Sequence, residues 1–183
     1  MSPPTTLFRF QLNFSDIDRG IYKTLDLRLA MHPSESGAYL MTRLLAYVLN
    51  EREFLEFSGE GLGDPDTPAI CAKTTGGDIL LWIEIGNPSA RKLHKATKAA
   101  RQVMVYTYKD PLALLKEIRE NKVFHAEQIE IFAFPAPFLE ALAQRLDRKN
   151  TWDILVQDGS LTVNIGEYSE VSEIRQVTLG PAG

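Results

Sequence analysis

Hydrophobic and polar residues alternate with a period of two along the first part of the chain, a pattern typical of half-buried strands. Segments 6–14 and 21–31 both show this alternation. Asp18-Arg19-Gly20 lies between them and predicts the turn of a hairpin. We therefore expect the chain to open with two antiparallel strands.

A change from strand to helix spacing follows at residues 32–35, His-Pro-Ser-Glu. Apolar residues then recur every three or four positions to about Asn50, which predicts the first long helix. Ser34 is the predicted N-cap of this helix. Glu35 lies in its first turn, where the helix dipole favours an acid.

Strands and helices alternate through the rest of the chain. Gly76-Gly77 separates two β-like runs, 69–75 and 78–86, and predicts a tight hairpin. The spacing then predicts helices over 89–102, 110–121 and 136–147, and strands over 103–109, 128–134, 152–157 and 160–165. This order requires crossover connections. We predict an α/β fold, a single domain over residues 1–183, with a mixed sheet flanked by helices and β-hairpins at both ends.

Composition is that of an ordinary globular protein. The 183 residues are 44% hydrophobic and 24% charged, and the net charge is −4, which argues against disordered, fibrous and coiled-coil classes. The longest apolar run has six residues, and the amino terminus does not resemble a signal peptide. With one cysteine no internal disulfide can form. We expect a cytoplasmic monomer that does not enter the membrane.

Positive charge is concentrated in one window of this acidic chain. Six basic residues and no acid lie between Ile85 and Lys109, or +6, so the remainder carries −10. Such a run of charge alone is more typical of a solvated helix face, and the alternative is a site for an anionic ligand. Standard sequence motifs for dinucleotide binding, P-loops and α/β-hydrolases are absent.

Two carboxylates are predicted to meet at one end of the Gly76-Gly77 hairpin. Pairing residue n with residue 153 − n sets Glu84 opposite Ala69, and Asp66 lies just before that strand. Asp66 and Glu84 together are the ligands that a hard divalent cation such as Mg²⁺ needs. The sequence therefore predicts a magnesium site formed by this pair.

The layout Pro65-Asp66, hairpin, Glu84-Ile85-Gly86 resembles the pattern of the PD-(D/E)XK nuclease superfamily. The resemblance implies a restriction-endonuclease-like fold in which two carboxylates hold Mg²⁺ and a lysine positions water. Gly86 stands where that lysine is expected. In a regular strand the side chain of Asp66 would point to the opposite face of the sheet from Glu84. The backbone must therefore bend near Thr67-Pro68 to bring the two carboxylates together.

The whole chain resembles the YaeQ family of small bacterial proteins. The resemblance is carried by the stretch 32–35, by Arg-Leu-Leu-Ala at 43–46, by Trp-Ile-Glu-Ile-Gly at 82–86 and by Tyr-Thr-Tyr at 106–108, together with Pro88, Arg91 and Lys95. It implies a variant of the restriction-endonuclease-like fold.

Further site residues are implied by this resemblance. Glu35 would supply an acid from the first helix, or it serves only the helix dipole. Arg43 would hold a site carboxylate, or it lies on an unrelated surface. Lys95 would replace the lysine missing at Gly86 and point toward Glu84. Gln102, on the same predicted helical face as Arg91 and Lys95, is a second candidate.

Two functions stay open. One is a Mg²⁺-dependent phosphodiesterase or nuclease-like protein, in which Lys95 stabilises phosphate charge and the start of helix 89–102 receives a phosphate. The other is a catalytically degenerate nuclease-fold protein that acts as a binding or regulatory module, which Gly86 and the net charge favour. Nucleic acid and another protein are the two partner classes left open.

Overall fold

The structure is a computed structural model that describes residues 4–58 and 66–179. Eleven strands and four α-helices follow one another in the described chain. They are β1 (Thr6–Asp16), β2 (Ile21–Met31), α1 (Gly37–Leu49), β3 (Leu55–Phe57), β4 (Ile70–Lys73), β5 (Ile79–Ile85), α2 (Ala90–Ala99), β6 (Ala100–Thr107), α3 (Pro111–Glu120), β7 (Ile129–Ala133), α4 (Ala136–Ala143), β8 (Lys149–Gln157), β9 (Ser160–Ile165), β10 (Tyr168–Glu173) and β11 (Arg175–Val177). Within these ranges, none of the helices is long and apolar enough to cross a membrane.

Backbone contacts group the chain into two compact units. The first contains the residues up to Met41 and Phe134–Ile174; the second contains Thr42–Ala133 and the segment from Arg175. The sequence predicted one mixed sheet, whereas each unit has a mixed sheet of its own. The α/β class and both terminal hairpins are confirmed. The single-domain boundary 1–183 stays a prediction.

The first unit is built on a five-stranded sheet in the order β10-β9-β8-β1-β2. β1 pairs antiparallel with β2, as the alternating pattern predicted, and parallel with β8. Phe10, Leu12 and Phe14 of β1 are buried on one face because strand side chains alternate. Trp152 of β8 meets Phe10 edge to face, with ring centroids 5.3 Å apart. This aromatic pair anchors the core of the unit.

The second unit is built on a six-stranded sheet in the order β11-β7-β6-β5-β4-β3. β5, β6 and β7 are parallel, and α2 and α3 connect them. One hydrophobic cluster joins the sheet to α2 and α3. It comprises Trp82, Ala90, Leu93, Ala96, Val103, Val105, Leu114, Leu115, Ile118, Val123, Ile129 and Ile131. The helices therefore cover one face of the parallel strands.

The hairpin of β4 and β5 has the predicted register at the end that matters for the site. Ile70 pairs with Ile83 and Ala72 with Leu81, so partners sum to 153 there. Between Ala72 and Lys73 the register shifts, and Lys73 pairs with Ile79. This β-bulge leaves Leu80 without an opposite residue and moves the turn by one position. The register next to Glu84 is confirmed, and only the tip differs.

Helix α1 begins later than its sequence suggested. The helix starts at Gly37, and Ser36 Oγ accepts a hydrogen bond from the Tyr39 N–H at 3.1 Å. Ser34, the predicted N-cap, instead lies with its hydroxyl 2.7 Å from His32 Nδ1. The prediction of Ser34 as cap is wrong because residues 32–35 form a turn of their own, closed by the Glu35 N–H donating to the His32 carbonyl at 2.9 Å.

Gly37 sits where α1 approaches α4 most closely. A Cβ added to Gly37 would lie 2.7 Å from the Cβ of Ala143, closer than real side chains come. We expect Gly37→Ala to lower the free energy of unfolding by about 1–3 kcal/mol through overpacking. Urea denaturation of Gly37→Ala, Ala143→Gly and the double variant measures it. Ala143→Gly should relieve part of the loss, and simple additivity of the two changes would contradict the close approach.

Candidate functional site

Glu84 is a buried carboxylate near the end of the central parallel strand β5. Side-chain alternation puts Glu84 on the same face as Trp82, the face that α2 covers. Only 3% of Glu84 is exposed to solvent. A carboxylate in such a place needs hydrogen bonds or a charge partner, because burying an uncompensated charge is costly.

Both oxygens of Glu84 have a partner. The Trp82 indole N–H donates to Oε1 at 2.7 Å, and the Lys92 ammonium lies 3.1 Å from Oε2. Burial raises the pKa of Glu84 above its ordinary value; the positive charge of Lys92 and the indole hydrogen bond oppose that rise. Desolvation is the larger effect, so the carboxylate is held by an ion pair in a place that disfavours its charge.

Lys92 reaches Glu84 because of where α2 begins. Ser89 caps the helix, and its Oγ accepts the backbone N–H of Lys92 at 3.2 Å. The backbone N–H of Ala90, the first residue of α2, donates to Glu117 Oε1 of α3 at 3.2 Å. The cap thus fixes the first turn of α2 beside the end of β5.

Asp66 pairs with a different lysine of α2 from the one that contacts Glu84. Lys95 lies one helical turn beyond Lys92, and its ammonium is 3.1 Å from Asp66 Oδ1. Both side chains of this pair are about half exposed, at 48% and 56%. Pro65, the other half of the predicted Pro-Asp motif, lies outside the described residues.

A surface pocket of about 350 Å³ opens at the amino end of α2. Its lining consists of Asp66, Ser89, Arg91, Lys92 and Lys95. The described part of the lining therefore contains three cationic side chains and the carboxylate of Asp66. Cationic side chains attract anions. The backbone N–H groups of Ala90 and Lys92 are already bonded to Glu117 and Ser89, so the side chains are the donors available to a ligand.

The lysine that contacts Glu84 is Lys92, so the prediction that Lys95 points toward Glu84 is wrong. The two lysines are three residues apart, or about 300° of helical rotation, and only Lys92 lies on the flank of α2 next to β5. The sequence missed Lys92 and Trp82. The period of two along β5 was a signal for Trp82, because it sets residues 82 and 84 on one face.

Gln102 is not on a helix. β6 begins at Ala100, directly after α2 ends at Ala99, so the predicted seven-residue helical spacing from Lys95 does not exist. Gln102 pairs in register with Leu81, which puts it on the opposite face of the sheet from Glu84. Its amide donates to Glu130 Oε1 at 2.8 Å. The prediction that Gln102 shares the site with Lys95 is therefore wrong.

Gly86 has a backbone conformation that disfavours the expected lysine. Its φ is +85°, and the Gly86 N–H donates to the Tyr106 carbonyl at 2.8 Å. An added Cβ would touch nothing closer than 4.0 Å, so space is not the obstacle. The obstacle is the positive φ, which costs an L-residue about 1–2 kcal/mol.

Glu35 and Arg43, the other predicted site residues, are both buried, at 6% and 3% exposure. Glu35 belongs to the first unit and Arg43 to the second. The Arg43 guanidinium carbon lies 5.8 Å from the centre of the Phe57 ring. Glu35 lies before α1, whose first turn contains no acid, so its predicted place in that turn is wrong. The roles of both residues at the site stay predictions.

The acidic pair as it stands does not fit a magnesium ion. Mg²⁺ needs several oxygen ligands and a net negative surrounding. Here both Glu84 oxygens accept bonds from Trp82 and Lys92, and a cation would have to displace the Lys92 ammonium. Among residues 4–58 and 66–179, no three His, Cys, Asp or Glu side chains are grouped as metal ligands.

The sequence matches the model of the YaeQ protein family over residues 1–174. The chain belongs to the YaeQ family. It is 30% identical to the YaeQ protein of Salmonella typhi over 162 residues, 88% of this chain and 89% of that one. It is also 30% identical to YaeQ of Escherichia coli (strain K12) over 160 residues, 87% and 88% of the two chains.

Two solved YaeQ structures share this architecture. The crystal structure of YaeQ from Pseudomonas syringae superposes with a TM-score of 0.88 at 29% identity, covering 97% of this chain and 98% of that one. YaeQ from Xanthomonas axonopodis pv. citri gives a TM-score of 0.85 at 30% identity, covering 96% and 98%. The YaeQ resemblance and the α/β fold class are thus confirmed, and the named relatives are bacterial.

The raised pKa of Glu84 predicts a pH dependence of stability. Its carboxyl is protonated more readily in the folded chain than in the unfolded chain, where its pKa is about 4.5. Its contribution to the free energy of unfolding is therefore greatest below that pH, and falls as pH rises through the folded pKa. Glu84→Gln cannot ionise and should lack this fall.

Urea denaturation at several pH values between about 4 and 8 compares the two proteins. Asp66→Asn, which removes an exposed carboxylate, is measured alongside so that the effect of the buried acid can be compared with that of an exposed one. Parallel curves for wild type and Glu84→Gln would show that burial does not raise the pKa of Glu84 in this way.

Proposed function

We propose that this YaeQ chain binds phosphate-bearing ligands, and that its ligand is a nucleic acid. The observation that carries the proposal is the lining of the pocket at the start of α2. Its described residues include three cations, Arg91, Lys92 and Lys95, together with the carboxylate of Asp66. A phosphate oxygen there would meet cationic donors from several sides.

The cations of the pocket differ in how readily they exchange partners. Lys92 is committed to buried Glu84, with a side chain only 22% exposed. Lys95 pairs with Asp66 in a half-exposed ion pair, which is weak and open to exchange for a phosphate. Arg91 is exposed, and among the described residues it has no acidic partner. Its planar guanidinium can bind two phosphate oxygens at once.

A nuclease-like ancestry of the fold is part of this proposal. Three parallel strands, β5 to β7, carry an antiparallel hairpin at β4–β5, and an acid stands near the end of β5. This is the arrangement that the PD-(D/E)XK resemblance implies. Lys92 on Glu84 and the conformation of Gly86 favour a degenerate site that binds without cleaving. A protein partner, a monomeric state and a cytoplasmic location stay predictions.

Mg²⁺-dependent phosphodiester hydrolysis is the second candidate. The residue types at the site favour it, because two acids, Asp66 and Glu84, and two lysines lie around one end of α2. In this function Asp66 and Glu84 would hold the metal and a lysine would neutralise phosphate charge. It requires Lys92 to leave Glu84 before the metal can bind.

Binding to a labelled oligonucleotide tests the proposal. We expect Arg91→Gln and Lys95→Gln each to weaken binding several-fold at low salt. Each should also reduce the slope of log affinity against log salt by roughly one. Fluorescence anisotropy across a salt series measures both. Lys116→Gln, on the exposed face of α3, is the control and should bind like the wild type; equal binding by all four proteins would refute the proposal.

Calorimetric titration with MgCl₂ separates the two candidates. We expect no saturable binding at millimolar concentrations and no cleavage of the labelled oligonucleotide, because the Lys92 ammonium occupies Glu84. Saturable binding that disappears in Glu84→Ala, together with Mg²⁺-dependent cleavage, would establish the second candidate and overturn the first.

A further inference from the structure

A stripe of exposed positive charge begins in the pocket and continues along α2 toward the end of the helix. Arg91, Lys95 and Lys98 are all exposed, and their spacing of four and three residues keeps them within about 60° of one another on the helix. The opposite side of α2 is buried: Ala90, Leu93, Ala96 and Thr97. The basic stripe, as we call these three residues, spans about 10 Å at the helical rise.

An exposed aromatic ring lies at the far end of the basic stripe. Phe124, in the loop after α3, is 45% exposed. The Lys98 ammonium lies 5.8 Å from the centre of its ring, and the His125 ring lies 3.9 Å away, edge on. The acid nearest in sequence, Glu127, has its carboxylate 3.2 Å from His125 Nδ1. Phe124 is thus an apolar ring among cationic and imidazole groups.

The loop that carries this ring begins with the C-cap of α3. Lys122 has a positive φ of 48°, and its N–H donates to the Arg119 carbonyl at 3.2 Å, while the Val123 N–H donates to the Ile118 carbonyl at 3.2 Å. The Phe124 N–H donates to His94 Nδ1 of α2 at 3.1 Å, which fixes the loop to the helix. Val123, one residue earlier, is buried in the core. The hydrogen bond to His94 and the burial of Val123 together hold Phe124 next to α2.

We infer that the basic stripe and Phe124 together form a track for single-stranded nucleic acid, in which the stripe binds phosphates and the Phe124 ring stacks on an unpaired base. The inference rests on the proposed function and names its ligand class. Cationic grooves combined with aromatic platforms bind single strands with little sequence preference. A duplex keeps its bases stacked inside, so Phe124 could not reach one.

Replacement of the ring tests the track. Phe124→Leu keeps the apolar bulk and removes the aromatic face. We expect its affinity for an oligo-dT or oligo-U single strand to fall about 5- to 150-fold, while binding to a duplex of equal length is unchanged. Phe124→Trp should bind at least as well as the wild type, and the fluorescence of the introduced indole should be quenched on binding. Comparison of the dT and U strands shows whether DNA, RNA or both occupy the track.

Each outcome separates this inference from the proposed function. If Arg91→Gln weakens binding and Phe124→Leu does not, the track is wrong and the phosphate-binding function stands. An equal loss for duplex and single strand in Phe124→Leu would also overturn the track, because a stacking contact cannot act on paired bases. If the wild type binds no oligonucleotide of either kind, both proposals fail. Thermal melting of each variant confirms that it is folded.

Discussion

The contact between Lys92 and Glu84 governs the chemistry of the second unit. A carboxylate buried at the end of the central strand loses its hydration, and neighbouring polar or charged groups must offset this loss. The offset comes from a lysine on α2 and an indole on the same strand, so the helix and the strand are tied together at this point. Removal of Lys92 would leave the buried carboxylate without its charge partner, which costs more than the pair contributes.

That contact also decides the sign of charge that the surface presents. Glu84 is paired with Lys92 and Asp66 with Lys95, which leaves Arg91 as the cation of the described pocket lining that has no acidic partner. The protein as a whole is acidic, at −4. A local positive surface on an acidic chain gives little general attraction to polyanions, so any ligand has to be held by these few side chains and not by the field of the whole molecule.

Periodicity in the sequence predicted most elements, because each strand and helix has one buried side. The strands at 21–31 and 160–165 were predicted with the bounds that the structure shows. Periodicity failed where the residues suit both a helix and a strand. Residues 100–102, Ala-Arg-Gln, have a high intrinsic helix propensity, but in the fold they pair as part of β6 with β5. Strands β10 and β11 were missed because they are short and mostly polar. The choice of Lys92 over Lys95 depends on the rotation of α2, which spacing alone does not give.

The β-bulge between β4 and β5 separates the tip of this hairpin from its base. Lys73 to Ile79 follow a shifted register, whereas Ile70 with Ile83 and Ala72 with Leu81 keep the register that positions Glu84. A change in the length of the turn would therefore be taken up at the bulge, before it reaches the buried ion pair. The exposed turn around Gly76-Gly77 is consequently a place where a peptide tag or a fluorophore could be inserted without shifting the pocket.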